Sequence, residues 1–267
     1  MFHLRVPMFK VGVTVRRIWV APGSQGAGRV QCGASLIESD ERAIVQLFTD
    51  MAAIERLAGA LFVEQERRAK DPTLKAIFTT FIADEVRHAQ CAQMLADYYD
   101  VSHYKTYQVN DALRRFTPHF VAAIRHLDDD VANAYITAGE LILDIALLRS
   151  INDYVHDDMS ARAMELVNRD ESRHIAIDYF MASHYATPEY RAAIAARPRK
   201  SVRERAEAAA TFSQLLWHAK PFMRDVFFRP MDLVDPSGHR MREAFKRLQL
   251  LSSRPGVSDL WFSRFML

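Results

Sequence analysis

The sequence predicts an all-α protein: a four-helix bundle with one long crossover connection and additional C-terminal helices. Three observations carry that prediction. From residue 39 onward apolar side chains recur at helical spacing almost without interruption. The composition, 49% hydrophobic and 25% charged with only 9 Gly and 10 Pro, is rich in helix formers and sufficient for a buried core. The strongest breaks, Asp71-Pro72 and "HDDMS" at 156–160, fall where two long helical hairpins need their turns, and the stretch between the hairpins is long enough for a crossover.

Each element has its own signal. Residues 1–38 form an N-terminal arm or linker: residues 1–37 contain no acidic side chain, and "APGSQGAG" occupies 21–28. The helical domain covers 39–267, with a core bundle at about 40–185 and extra helices at about 200–251. Ser39-Asp40-Glu41 offers an N-cap with acids in the first turn, and the first long helix runs to about Arg68. Pro72, suited to a first helical turn, opens the second, which reaches about Tyr99. A shorter helix spans about Asp111 to His126, a third long one about Asp129 to Val155, and a fourth about Ala161 to His184 before Thr187-Pro188 ends the group. Further helices are expected at about 201–219 and 238–251. A tail with Trp261, Phe262 and Phe265 is expected to pack back onto the bundle.

Composition also excludes some classes. A net charge of +2 and a pI near 8.5 are too mild for a nucleic-acid binder. The basic run "RPRKSVRERAE" from Arg197 fits a solvated helix start. Cys32 and Cys91 form neither a disulfide framework nor a zinc pattern, which fits a reducing, cytoplasmic setting, and Cys91 is expected to pack. No apolar run approaches the roughly 18 residues of a membrane span. Arg16 and Arg17 interrupt the apolar stretch where a signal peptide's core would lie.

The chemistry sits in a repeated pentapeptide. Asp84-Glu85-Val86-Arg87-His88 returns as Asp170-Glu171-Ser172-Arg173-His174, on the second and fourth helices. Glu and His at i and i+3 stand about 60° apart on a helix, so each pair can present an oxygen and a nitrogen to one centre. In an antiparallel hairpin, residues whose midpoint falls at the turn lie level. Glu55 is level with Glu85 about residue 70, and Glu140 is level with Glu171 about residues 155–156. Glu64 misses the level of Glu85 by roughly 13 Å at 1.5 Å per residue, and Glu66 misses by more. Glu55, Glu85, His88, Glu140, Glu171 and His174 thus make four carboxylates and two imidazoles, the ligand set of di-iron and di-manganese carboxylate bundles. Hard carboxylates with imidazole suit two Fe ions, with Mn or a mixed Fe/Mn pair as alternatives, and the lack of thiolates argues against structural zinc.

Surrounding residues acquire expected roles. Asp84 lies four residues before His88, and Asp170 four before His174. Each is expected to accept the ring N–H that faces away from the metal. Arg87 and Arg173 point about 130° from the Glu/His direction, so as buried cations they are expected to pair crosswise, Arg87 with Asp170 and Arg173 with Asp84. Asp144, one turn after Glu140, faces the centre on a regular helical wheel and, with Thr137, is a candidate proton relay or extra ligand. Met51, Ala52, Ala58, Gly59, Phe62, Phe81 and Ile136 fall on metal-facing sides as a candidate substrate pocket, the small residues leaving room. Asp178 follows His174 by one turn, and Tyr179 is turned about 100° further, where packing is its expected role.

With these residues in place the chain resembles the ferritin-like di-iron carboxylate superfamily. The doubled Asp-Glu-x-Arg-His with Glu55 and Glu140 is similar to the hydroxylase subunits of bacterial multicomponent monooxygenases, and shares the wider pattern of acyl-carrier desaturases and arylamine N-oxygenases. The resemblance covers roughly residues 40–185. It implies a non-haem di-iron monooxygenase with O2 as co-substrate, hydroxylating or otherwise oxidising a small organic substrate, free or carrier-bound. Alternatives are a ferroxidase or peroxide-scavenging protein, and N-oxygenation of an amine. Arylamine N-oxygenases carry a third His one turn before the second motif, and Val167 stands there in this chain. No flavin, nicotinamide or iron–sulfur motif is visible, so the electrons are expected from an external reductase or ferredoxin. A homodimer is the expected assembly.

Overall fold

The computed structural model describes residues 36–103, 108–155 and 157–259. The arm up to residue 35, Cys32 and the tail with Trp261, Phe262 and Phe265 lie outside the described residues. Among the described residues all regular structure is helical, as the apolar periodicity predicts.

Helix α1 spans Glu38–Arg68 and α2 spans Pro72–Tyr99. The start of α1 differs in detail from the expectation. Ile37 occupies the cap position without a side-chain bond, and Ser39 lies inside the first turn, donating to Asp40 instead. The α1–α2 turn follows its sequence signal: Pro72 stands at the helix start, and Asp71 accepts from the backbone N–H of Thr73 and Leu74 at 2.7 and 2.9 Å. The connection to the second hairpin carries α3, Asp111–Ile124, which stops two residues short of His126.

The third long helix is one rod in three parts: α4 (Asp129–Glu140), a π-helical segment (Leu141–Leu148) and α5 (Arg149–Val155). The wider π turn changes the angular spacing of side chains just after Glu140, which a regular wheel cannot anticipate. Helix α6, Asp158–Tyr185, starts three residues before the expected Ala161, because Asp157 caps it by accepting from the Ser160 N–H at 2.8 Å. Thr187-Pro188 does more than end a group. Thr187 caps and Pro188 opens a short additional helix, α7, Pro188–Ala195. Then follow α8 (Val202–Phe222), opened by a Ser201/Glu204 capping box, a second π segment (Met223–Phe228), α9 (Arg229–Val234) and α10 (His239–Ser252).

The four long elements close on one another: α1 packs along α2, α4 along α6, α2 touches α6, and α1 touches α4. Outside this group α3 lies on α8, α10 on the first π segment, and α9 on α5. The larger core joins Ile44, Phe48, Tyr99, Leu113, Ile145 and Leu148, with Cys91 packed against it as expected. A smaller cluster of Leu61, Phe62, Phe78, Phe81, Ile124, Ala132 and Ile136 fills the end near the α1–α2 turn. The crossover is fastened at both ends. Asp50 accepts from the Asn110 N–H at 2.7 Å, and Arg68 donates to the carbonyls of Ile124 and Leu127 at 2.8 and 2.7 Å.

One expectation about apolar runs needs correction. The stretch Asp129–Ile151 is long and apolar enough to cross a membrane by length and composition, with a mean hydropathy of 1.5. Its apolar residues have partners within the chain, and 67% of the window is buried there, so packing between α6 and α10 accounts for its character.

Candidate metal centre

Each of the four central elements delivers one or two polar side chains to a common interior point. Glu55 comes from α1, Glu85 and His88 from α2, Glu140 from the last turn of α4, and Glu171 and His174 from α6. All six are buried, Glu55, Glu171 and His174 completely. They form two overlapping sets. In one, Glu55, Glu85, His88 and Glu171 bring a ligand atom each within 4.8 Å of one another, and in the other Glu85, Glu140, Glu171 and His174 do so. Glu85 and Glu171 belong to both. The helical register therefore brings together every residue that the level-height reasoning selects. Glu64 instead ion-pairs with Arg67 and Arg68, away from the cluster.

Within the cluster His88 Nδ1 stands 2.8 Å from Glu171 Oε1, and His174 Nδ1 stands 3.1 Å from Glu171 Oε2 and 3.3 Å from Glu85 Oε1. These approaches are close without being aligned as hydrogen bonds. Both oxygens of Glu55, Glu85 and Glu171 and the Nδ1 atoms of both histidines lack a hydrogen-bond partner. Buried polar atoms are rarely left so, and a group of them converging on one point needs cations or protons. Burial pushes the carboxyls of Glu55, Glu140 and Glu85 up from the ordinary range, most of all Glu55 and Glu140, with neighbouring carboxylates adding to it. For Glu171 burial acts in the same direction but is outweighed by Glu140, His174 and His88, which hold it low. For His174 burial opposes the charge, but Asp84 and the surrounding glutamates outweigh it and hold the ring cationic. Hard oxygen donors with imidazole nitrogen match iron or manganese in their donor chemistry. The residues present could hold a metal ion.

Behind the histidines the arrangement departs from the expectation. His174 Nε2 meets Asp84 Oδ2 at 3.2 Å, and the nearer Asp for His88 Nε2 is Asp170, at 3.6 Å. Asp84 thus serves the histidine of the neighbouring helix, not of its own, while Asp170 lies near His88 Nε2 without a hydrogen bond to it. With Nδ1 turned to the centre, Nε2 lies at the far tip of the ring and reaches across the α2–α6 interface. The expectation of arginines buried in crossed pairs is also corrected. Arg87 and Arg173 are 53% and 55% exposed, and each reaches both aspartates. Arg87 bonds Asp84 and stands 3.9 Å from Asp170, while Arg173 stands 2.7 Å from Asp170 and 3.2 Å from Asp84. The crossed contacts exist, but the intrahelical i,i+3 ones are closer.

The remaining candidates sort by surroundings. Phe62 meets the His174 ring edge-on and Phe81 packs against it at a tilt, with centroids 5.3 and 4.0 Å away, and Ile136 joins them in the smaller apolar cluster. Met51 and Ala52 belong to the larger core, and Ala58 is half-buried. Gly59 does not leave room. A Cβ there would stand 3.3 Å from the Glu85 Cβ, so the glycine permits the close passage of α1 over Glu85. Asp144 is buried in the π segment with both oxygens unbonded, 3.6 Å from Arg149, and burial pushes its carboxyl up to about 7. Thr137 donates to the Asn133 carbonyl and receives the Asn133 amide. Beside it lies a residue to which the helical wheel assigns no role. Asp178 is fully buried with both oxygens unbonded, and burial pushes its carboxyl well above the carboxylate range. A signal for it exists in the sequence, since it continues the Glu171/His174 stripe by one helical turn.

No protein-family model, curated protein or solved structure matches this chain. The fold and the cluster define an all-α protein with a buried carboxylate–histidine site able to hold metal.

Proposed function

We propose that this chain is a ferritin-like non-haem di-iron oxygenase that uses O2 to oxidise a small organic substrate, with electrons from an external donor. One observation carries the reading: the two four-residue sets share Glu85 and Glu171. Two shared carboxylates between two terminal groups, Glu55/His88 on one side and Glu140/His174 on the other, describe a pair of sites close enough for common ligands. These residues would hold two iron ions, which when ferrous would supply two electrons for the reduction of O2, the remainder coming from the external donor.

The chain's own residues do the rest. Asp84 holds the His174 imidazole by its outer nitrogen, so that Nδ1 stays aimed inward, and Asp170 places a negative charge 3.6 Å from the outer nitrogen of His88. Phe62, Phe81 and Ile136 keep water from the His174 side and present an apolar wall to a substrate. Asp178 beside Thr137 and Asp144 beside Arg149 are buried groups able to hold a proton one helical turn from His174 and Glu140.

Anaerobic loading with Fe(II), exposure to O2 with stopped-flow absorbance, and mass spectrometry over a panel of hydrocarbons, aromatics and amines test the reading. Oxygen incorporation into an organic product is expected. Iron oxidation that ends in a ferric mineral, with no product from any compound, would replace it with a ferroxidase role.

A further inference from the structure

Helix α8 is covered on one side only. Of its 21 residues Leu215 and Phe222 alone are buried, both in the C-terminal half, and its packing is on α3 and on the π segment that continues it. Trp217 is 78% exposed and Val202 74%, the highest values for large apolar side chains among the described residues, and Leu216 is 53% exposed. Helices in folded proteins owe most of their stability to a packed apolar face rather than to propensity. The outer face of α8 has no such cover within the chain.

The spacing of that face says what fits it. Val202, Ala206, Ala209, Ser213, Leu216 and Lys220 are all exposed and follow one another at intervals of four, three, four, three and four residues, the repeat of a seam that packs on another helix. The series reads the same in both directions, so an antiparallel copy of α8 meets it in full register about residue 211. Leu216 then falls opposite Ala206 of the second copy, Ser213 opposite Ala209, and Lys220 opposite Val202. Large side chains face small ones on both sides of the two-fold axis, which lets the helices approach closely. Trp217 flanks this seam, level with residue 205 of the second copy, where Ala206 leaves room beneath the indole and the Arg203 guanidinium can lie on its face. Arg203 is held there by Glu207 at 2.8 Å. The seam contains no acid, and its one cation, Lys220, sits at the end, where the stem can lie along Val202 with the amine in water. A parallel pairing would instead set Lys220 on Lys220 and align the two helix dipoles unfavourably. A buried Trp contributes about 150–250 Å². Two of them, with two copies of Leu216 and Val202 and the alanines beneath, approach the roughly 1,000 Å² that a specific interface clears.

We infer that α8 is the contact surface between two copies of this chain, paired antiparallel across a two-fold axis near Thr211. The pairing does not depend on what the carboxylate–histidine cluster binds. Sedimentation velocity of the full-length, metal-free chain over a concentration series is expected to show a reversible dimer. Trp217→Glu, at an exposed position, is expected to weaken it at least about tenfold. Ala206→Glu puts a carboxylate under Leu216 of the second copy and should do the same, and melting temperatures close to the parent's check that both variants are folded. Cross-linking reads the direction of pairing. In an oxidised mixture of Val202→Cys and Lys220→Cys proteins, peptide mass spectrometry should find the two introduced cysteines joined to each other more often than either to itself. A monomeric parent, a dimer unchanged in both glutamate variants, or self-linked cysteines in place of mixed ones overturns the proposal. If the parent is monomeric and sediments with anionic phospholipid vesicles while Trp217→Glu does not, a lipid surface covers α8 instead.

Discussion

His174 of α6 and Asp84 of α2 face each other across the helix interface, Nε2 to Oδ2 at 3.2 Å, so the ring of one helix is held by the carboxylate of the other. Asp84 is itself in contact with both arginines. Burial works against its charge, but His174 and the two guanidiniums outweigh it and keep the carboxyl below its usual range. The aspartate stays ionised and holds the Nε2 proton, so a metal bound at the inward-facing Nδ1 would displace only the second proton of the cationic ring.

Asp84→Asn should therefore weaken metal binding by roughly 10- to 100-fold, and the loss should fall on the His174 half of the centre rather than on His88. Competition against a chelator of known affinity measures the first. Paramagnetically shifted NMR of the Co(II)-substituted protein identifies which ring proton is lost. Unchanged affinity would remove Asp84 from the support of the ring.

The sharing of Glu85 and Glu171 separates two kinds of ligand variant. His88→Ala and His174→Ala each touch one set, so each should lower occupancy from two ions toward one. Glu171→Ala touches both and should lower it toward none. Metal analysis after reconstitution and desalting decides the point, and two ions retained in Glu171→Ala would end the shared-carboxylate description.

The arginine network calls for smaller energies than a buried pair would. Breaking a buried ion pair costs about 3–5 kcal/mol, but Arg87 and Arg173 are more than half exposed and each has two acidic partners. Arg87→Met should cost only about 1 kcal/mol or less. In double-mutant cycles on the metal-free protein the Arg87–Asp84 coupling should exceed the Arg87–Asp170 coupling, following the distances. Chemical denaturation of the parent, single and double mutants gives both values, and a dominant Arg87–Asp170 coupling would contradict this geometry.

How much of this was legible in the sequence follows from what is periodic. Helix boundaries with a capping side chain or Pro, such as Asp71-Pro72, could be placed closely, because their signal is local. Cluster membership was legible because antiparallel hairpins convert sequence separation into height, and the π segment of the second hairpin left Glu140 and Glu171 in the same cluster. Partners behind the histidines were not. Whether Asp84 serves His88 or His174 depends on ring rotation and on the distance between α2 and α6, neither of which is encoded in spacing. Exposure of Arg87 and Arg173 escaped for a similar reason: a helical wheel gives direction, not the depth of the neighbouring helix. The π segment Leu141–Leu148 left no signal in its almost wholly apolar run.

Asp144, at the middle of that π segment, ties the site's electrostatics to stability. Its carboxyl is pushed up to about 7 by burial, with Arg149 only partly offsetting the effect from 3.6 Å. In the unfolded chain it returns to an ordinary value near 3.8. Between about pH 4 and pH 7 the folded protein thus holds a proton that the unfolded chain has released. Stability then falls as pH rises through this window, and the penalty is complete above about pH 7. An Asn at this position carries no such proton. Asp144→Asn in the metal-free protein should therefore differ little from the parent near pH 4 and be the more stable of the two at pH 8. The ceiling is about 4 kcal/mol, since the window is roughly three pH units wide and each contributes about 1.36 kcal/mol. Denaturant midpoints for both proteins at pH 5, 6, 7 and 8 follow the difference. It should widen steadily to pH 7 and then level off, and a difference that stays constant or narrows over this range would show that Asp144 is ionised in the folded chain throughout.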